Sequence, residues 1–362
     1  MSTIVFTGFP GFLGSELLPR VLAREPGASA VCVVQRRFME LARRRLADLG
    51  ASRPGLSARV SLAEGDIIDA NLGLRDVDAL KRRVTSIYHL AALYDLSVAR
   101  DVAMRVNVQG TERVLHFAAQ CPQLERLHYV STCYVSGRHP GVFHESDLDV
   151  GQTFNNHYEE TKYLAEVAVR RMMRAGLPAT IYRPSIVVGD SVTGATQKYD
   201  GPYFAMQWLL RQKRVAIMPV VGRPASTEFN IVPRDFVVDA ITWLSGLPRS
   251  RGATYALADP APLTVDGVLR TLGVATERTI VRVPLPLGMA KWSIERMPGV
   301  LELLRIPSSS VDYFVHPTRY DTAVATAALQ GSGIACPRFP DYAQALVRFM
   351  RVHPEITSAA MA

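Results

Sequence analysis

Cysteine is scarce in this 362-residue chain: Cys32, Cys121, Cys133 and Cys336 are scattered, and none forms a C-x-x-C pair. That scatter excludes a disulfide framework and leads us to expect reduced thiols in a cytoplasmic setting. The eight histidines show no H-E-x-x-H or other metal-ligand spacing, so no metal is expected. No apolar run reaches the ~18 residues that would cross a bilayer. The N-terminal stretch has no basic region, and Gly8, Pro10 and Gly11 interrupt its apolar part, so no secretory leader is expected. Lysine occurs only at positions 81, 162, 198, 213 and 291, so arginine carries most of the net charge of +8. Those arginines are spread along the chain without interleaved aromatics, which excludes nucleic acid as a partner.

What is present begins with Thr7-Gly8-Phe9-Pro10-Gly11-Phe12-Leu13-Gly14, placed after the apolar run Ile4-Val5-Phe6. A short buried strand that ends in glycines spaced G-x-x-G-x-x-G and enters an amphipathic helix (Leu17, Leu18, Val21, Leu22) has the geometry that carries a dinucleotide pyrophosphate. The first glycine makes the tight turn, the second lets the backbone approach the phosphates, and the third lets helix lie on strand. Free N–H groups and the helix dipole then face the anion. Glycine-rich turns also arise from packing alone, so the surrounding pattern must decide.

That pattern alternates short apolar runs with longer amphipathic stretches and predicts an α/β fold, a Rossmann doubly wound parallel sheet. Strands are expected at Thr3 to Thr7, Ala30 to Gln35, Val60 to Glu64, Ser86 to Leu90, Arg126 to Ser131 and Ala179 to Arg183. The clearest helices are Phe12 to Arg24, Phe38 to Leu49, Arg100 to Ala119 and His157 to Ala175. Pro19, inside the first helix, should cost a hydrogen bond or introduce a bend. We place the Rossmann domain at 1–190 and a smaller irregular C-terminal substrate lobe at 191–362, with 228–245 returning to the main domain. The apolar stretch from Val283 to Leu304 reads as pocket wall or core, with peripheral membrane contact as the alternative.

An acidic residue at the end of the second strand would grip the ribose of NAD. Here that strand ends Gln35-Arg36-Arg37, with two guanidiniums to chelate a 2′-phosphate, so NADPH is favoured over NADH. The alternative is that Arg36 and Arg37 start a solvated helix face. Asp66, followed by Ile67, closes the third strand; it either accepts from an adenine amino group or caps its own turn.

Tyr158 and Lys162, four apart at the start of a strong helix, share one face. An ammonium there stabilises phenolate, so the phenol can exchange a proton with a carbonyl oxygen while hydride moves at carbon. Upstream, Val130-Ser131-Thr132-Cys133-Tyr134 presents hydroxyls at a strand end.

Together with His89-Leu90-Ala91-Ala92, Asn107-Val108-Gln109-Gly110-Thr111, Tyr182-Arg183-Pro184-Ser185 and Asn230-Ile231-Val232-Pro233-Arg234-Asp235, these motifs resemble the extended short-chain dehydrogenase/reductase family. The resemblance implies that Tyr158 is the general acid/base and that Lys162 holds the nicotinamide ribose and tunes Tyr158. It implies that Thr132 hydrogen-bonds the substrate oxygen, that Ala91 and Ala92 line the cofactor channel, and that Pro184 and Ser185 sit beside the nicotinamide. Asn107 matches a family position, with loop fixation as its alternative role. Gly189-Asp190-Ser191-Val192-Thr193-Gly194 is most similar to the acyl-thioester reductases, the terminal domains of carboxylic acid reductases and peptide synthetases and the fatty acyl-CoA reductases. That implies an apolar small-molecule substrate, an acyl thioester or fatty aldehyde. With no carrier or adenylation domain alongside, a free-standing thioester such as acyl-CoA or acyl carrier protein is expected. Leu90, where this group often carries asparagine, departs from its pattern. Alternatives are a ketone or hydroxysteroid-like reductase, a nucleotide-sugar epimerase, or a non-catalytic NADP-sensing protein. A homodimer through the helices at 100–119 and 157–175 is implied by resemblance alone.

Overall fold

The computed structural model describes residues 2–96, 98–296 and 308–357. Seven parallel strands form the central sheet: β1 (Thr3–Thr7), β2 (Ser29–Val34), β3 (Val60–Glu64), β4 (Val84–His89), β5 (Arg126–Val130), β6 (Ala179–Pro184) and β7 (Thr254–Leu257). Their order is β7-β6-β5-β4-β1-β2-β3. β1 lies between β2 (Thr3 beside Ser29) and β4 (Thr7 beside His89), so the chain leaves β1 and β4 in opposite directions. The crevice opened at such a reversal is where α/β sheets take ligands.

β1 is buried at every residue, which explains its unalternating Thr-Ile-Val-Phe-Thr sequence. On one face Ile4, Phe6, Tyr88 and Tyr182 meet α1 (Gly14–Arg24) through Leu17, Leu18 and Val21. On the other, Val5, Ile87, Leu127 and Ile181 meet Val114, Phe117, Ala165 and Val169. Pro19 lies inside α1 on its buried side, and its missing N–H forgoes one helical hydrogen bond. The helix expected at 100–119 is present as Arg100–Ala103 and Gly110–Ala119 joined by a π turn over Met104–Gln109. The helix at 157–175, here α2 (His157–Arg174), starts under an Asn156 cap that accepts from the Glu159 amide at 3.0 Å.

Residues 231–246 pack back onto the main domain: Ile231–Pro233 pairs with Ile186–Val188 in a separate two-stranded sheet, and α3 (Arg234–Gly246) buries Val237, Val238 and Ile241 in the same core as α1. β7 and the helix Ala323–Leu329 also join this core, although both fall in the stretch read as substrate lobe. The lobe has its own core. Tyr203, Met206 and Leu209 of helix Pro202–Leu210 pack there with Leu269, Leu272, Tyr342 and Leu346. The two-stranded ribbon Val215–Val220 and Thr279–Pro284 flanks it. Of the apolar stretch from Val283 to Leu304, Leu285, Leu287 and Ala290 pack on Val221 and Val311 while Met289 and Trp292 are exposed. Residues 297–304 lie outside the described residues. No described helix is long and apolar enough to cross a membrane.

Candidate active site

The glycine turn folds around one carbonyl. Gly8 has φ +93°, and a Cβ there would lie 2.9 Å from the backbone of Leu90 and Ala91, so the turn sits directly against the loop after β4. A Cβ on Gly11 or Gly14 would lie 2.7 or 2.4 Å from the Gly8 oxygen, which accepts the Gly11 amide at 2.9 Å. The second glycine, expected to admit phosphate, is thus already required by the turn's own packing. The Phe12 and Leu13 amides donate to no backbone carbonyl among the described residues, which leaves donors free at the N-terminus of α1. Behind them the Arg234 guanidinium lies 5.1 Å over the Phe12 ring. The cradle therefore fits a dinucleotide pyrophosphate in shape and in donor set. Pro10 contributes only its carbonyl, which accepts the Ser15 hydroxyl at 2.8 Å. Thr7 is fully buried: its hydroxyl accepts from the Ala91 amide at 3.2 Å and bonds His89 Nδ1 at 2.8 Å, fastening turn to loop.

Arg36 and Arg37 are exposed beyond β2. Arg37 Nε donates to Gln35 at 2.8 Å and its guanidinium stacks 4.7 Å over Phe38, which leaves the charge open to a phosphate. Asp66 caps its own turn: one oxygen accepts the Ile68 amide at 3.1 Å, the other the Gln35 side chain at 2.8 Å. The Ile67 side chain is buried against Gly110. Asn107 spends its amide on the loop after β4, accepting from the Leu93 amide at 2.7 Å and donating to the Leu93 carbonyl at 3.2 Å and Thr161 at 3.0 Å. Ala91 and Ala92, just before Leu93 in that loop, are half-buried and exposed.

Thr132, just past β5, is brought to Tyr158. Its hydroxyl bonds the Pro184 carbonyl at 3.4 Å and accepts the Tyr134 amide at 3.2 Å. Burial pushes the Tyr158 phenol above its ordinary range, and the hydrogen bond with Thr132 pulls against that. Lys162, 3 % exposed, donates to Tyr129 Oη at 3.0 Å and to the Val130 carbonyl at 2.8 Å. Burial brings its ammonium down to about 7 against the pull of Glu166. No hydrogen bond joins it to Tyr158 among the described residues; the spacing of four puts both groups over the end of β5. Ser185, at the end of β6, bonds Asn230, whose amide reaches the Asp259 carbonyl at 2.8 Å. Asp190 closes its own turn through the Val192 and Thr193 amides, while Ser191 bonds Asp235 of α3.

Several neighbours escaped the sequence reading. Tyr94 meets Tyr158 edge-on at 4.9 Å and lies 4.6 Å under Lys198, itself paired with Asp200 at 2.9 Å. Tyr134 meets Tyr313 edge-on at 4.8 Å. Tyr94 stands two residues after Ala92 and Lys198 is one of five lysines, which was the signal available. Among the described residues no group of side chains could hold a metal.

Comparison with known proteins identifies the family and the fold. The family described as Male sterility protein matches residues 6–241. Glycine betaine reductase ATRR of Emericella nidulans is 30% identical over 312 residues, 80% of this chain. Fatty acyl-CoA reductase 1 of Arabidopsis thaliana is 28% identical over 177 residues, 43% of this chain. The chain spans 23% of the first and 36% of the second. The crystal structure of the terminal R domain from the myxalamid biosynthetic pathway superposes with a TM-score of 0.82 at 26% identity, covering 99% of this chain and 93% of that one. The chain thus belongs to the Male sterility protein family, as an NAD(P)-binding extended short-chain dehydrogenase/reductase.

Proposed function

We propose that the protein reduces an acyl thioester to an aldehyde with NADPH. The reading rests chiefly on the Thr132 hydroxyl held against the Tyr158 phenol at the carboxyl ends of β5 and β6. Kinship with proteins named as a fatty acyl-CoA reductase and a terminal R domain supports the thioester as substrate. When bound, NADPH supplies the hydride. Gly8, Gly11 and Gly14 with the Phe12 and Leu13 amides hold its pyrophosphate, and Arg36 and Arg37 its 2′-phosphate. Thr132 and Tyr158 donate to the carbonyl oxygen as it gains charge. Tyr158 passes it a proton, and Lys162 offsets the negative charge left on the phenol. The resulting hemithioacetal breaks its carbon–sulfur bond to give the aldehyde and a free thiol.

Purified protein with NADPH and a panel of acyl-CoAs should release one thiol for each NADPH oxidised, and NADH should serve poorly. Replacing Arg36 and Arg37 by alanine should raise KM for NADPH and leave that for NADH unchanged. Oxidation of NADPH by ketones without thiol release would instead favour the ketone-reductase reading.

A further inference from the structure

Lys162 sits in an unusual setting for a buried ammonium. It forms no ion pair among the described residues, and its protein acceptors are both neutral: the Tyr129 hydroxyl and the Val130 carbonyl. The Tyr129 ring centre is 4.5 Å from Nζ, so the cation meets both the oxygen and the ring of one side chain.

Tyr129 is 1 % exposed. Its oxygen already accepts from Lys162, and the Thr111 hydroxyl lies beside it as a hydrogen-bonding neighbour. Thr111 is able to accept, because its single hydrogen goes to the Asn107 carbonyl at 2.6 Å. Thr111 also bonds His89 Nε2 at 3.1 Å, so that nitrogen carries the proton and Nδ1 accepts from Thr7 at 2.8 Å. Thr7 in turn takes the Ala91 amide. Lys162, Tyr129, Thr111, His89 and Thr7 thus stand in line from the catalytic helix to the glycine turn.

We propose that Tyr129 is the positioning residue of Lys162: its phenol oxygen holds the buried ammonium in place of a carboxylate and, through Thr111 and His89, ties it to the cofactor turn. Two N–H groups of the ammonium are committed to Tyr129 and Val130, which leaves one for the nicotinamide ribose and Tyr158. The proposal builds on the catalytic reading above. The titratable groups facing this amine are His89 from β4, Tyr129 from β5, and Tyr158 and Glu166 from its own helix, with Arg183 of β6 paired to Glu166.

The test is Tyr129→Phe, which keeps the ring and removes the acceptor of the charged form. With five lysines in the chain, lysine labelled with carbon-13 at Cε gives a spectrum simple enough to titrate, and Lys162→Arg identifies the signal of interest. In Tyr129→Phe the Lys162 signal should titrate about one pH unit lower, and the alkaline limb of kcat should move down with it, giving roughly tenfold lower kcat at pH 8 and little change at pH 6. Thr111→Val should move both in the same direction by less, and it serves if the first variant fails to fold. A Lys162 titration and an alkaline limb that both stay at their wild-type positions would overturn the proposal. A protein that oxidises no NADPH with any thioester would overturn the proposed reaction, while the titration still decides the role of Tyr129.

Discussion

Tyr158 starts from a position unfavourable to its proposed role. Burial makes its phenolate costly, Lys162 does not bond it directly, and the Thr132 hydroxyl is the group that works to lower it. A residue so placed is useful only if charge appears next to it during turnover, as when a carbonyl oxygen accepts its proton. Tyr158→Phe keeps the edge-on contact with Tyr94 and removes only the exchangeable proton. It should lower kcat by ~10²- to 10⁴-fold, the range of a lost general acid, while leaving NADPH binding and the melting temperature close to wild type. Steady-state kinetics beside a cofactor fluorescence titration measure both, and undiminished turnover would refute the acid/base role. The strand-end place of the Thr132 hydroxyl was legible in the sequence, because it comes just past the apolar run that forms β5. Tyr129 was not, because a tyrosine inside a strand reads as core until its oxygen is seen to meet Lys162.

Elements set off by apolar runs were legible, and β1 and β3 have the bounds read from the sequence. β7 was missed because Thr-Tyr-Ala-Leu is only four residues long in a stretch rich in proline and glycine, and its strand character comes from pairing with β6. The π turn at Met104–Gln109 was equally invisible, since the helical periodicity continues through it. The arrangement of β6 against α2 depends on buried charge. Arg183, 1 % exposed, donates to Glu166 at 2.6 and 3.1 Å and to the carbonyls of Glu145 and Asp147. Burial works against the Glu166 carboxylate, but Arg183, Arg170 and Ser131 outweigh it and hold it below the usual range. Arg183→Met strips the main partner from a buried carboxylate and should cost ~3–5 kcal/mol. Adding Glu166→Leu should recover part of that loss, because the fully buried carboxylate is then gone and Arg170 keeps the Glu145, Ser146 and Asp147 carbonyls as acceptors. Urea unfolding of the single and double variants measures the difference; a double variant less stable than Arg183→Met would contradict this account.

Across the whole molecule, buried histidines link the fold to pH. His89, His128 and His316 are each held below the ordinary histidine value first by burial, His89 at about 3 and His316 at about 4. His316 is the most exposed of the three at 5 %, and its Nδ1 has no hydrogen-bond partner among the described residues. Above pH ~6.5 these rings are neutral folded or unfolded and leave stability unchanged. Below it the unfolded chain binds protons that the folded chain refuses, so stability falls by ~1.4 kcal/mol per pH unit for each ring, until the folded value is reached. Glu159 acts in the opposite sense: burial raises it to about 7 against its bonds from Asn155, so the folded chain binds an extra proton between ~4.5 and 7 and gains stability as pH falls there. His144, Glu145 and Asp200 are also raised in the folded chain and act in the same sense as Glu159, so the net slope below pH 6.5 is smaller than the sum of the three rings. Lys162, which the folded chain deprotonates from about 7 upward, adds a shallower rise in stability on the alkaline side. Between pH 6.5 and 5 each ring costs ~1.6 kcal/mol, and after the return from Glu159 the loss is at most ~3 kcal/mol, still a sizeable share of the 5–15 kcal/mol of an ordinary domain. The urea midpoint should therefore drop steeply over that interval, and His316→Gln should flatten the drop by about one proton's share. A midpoint that stays level from pH 6.5 to 5 would mean that the three rings take up protons in the folded state and are not held below the ordinary histidine value.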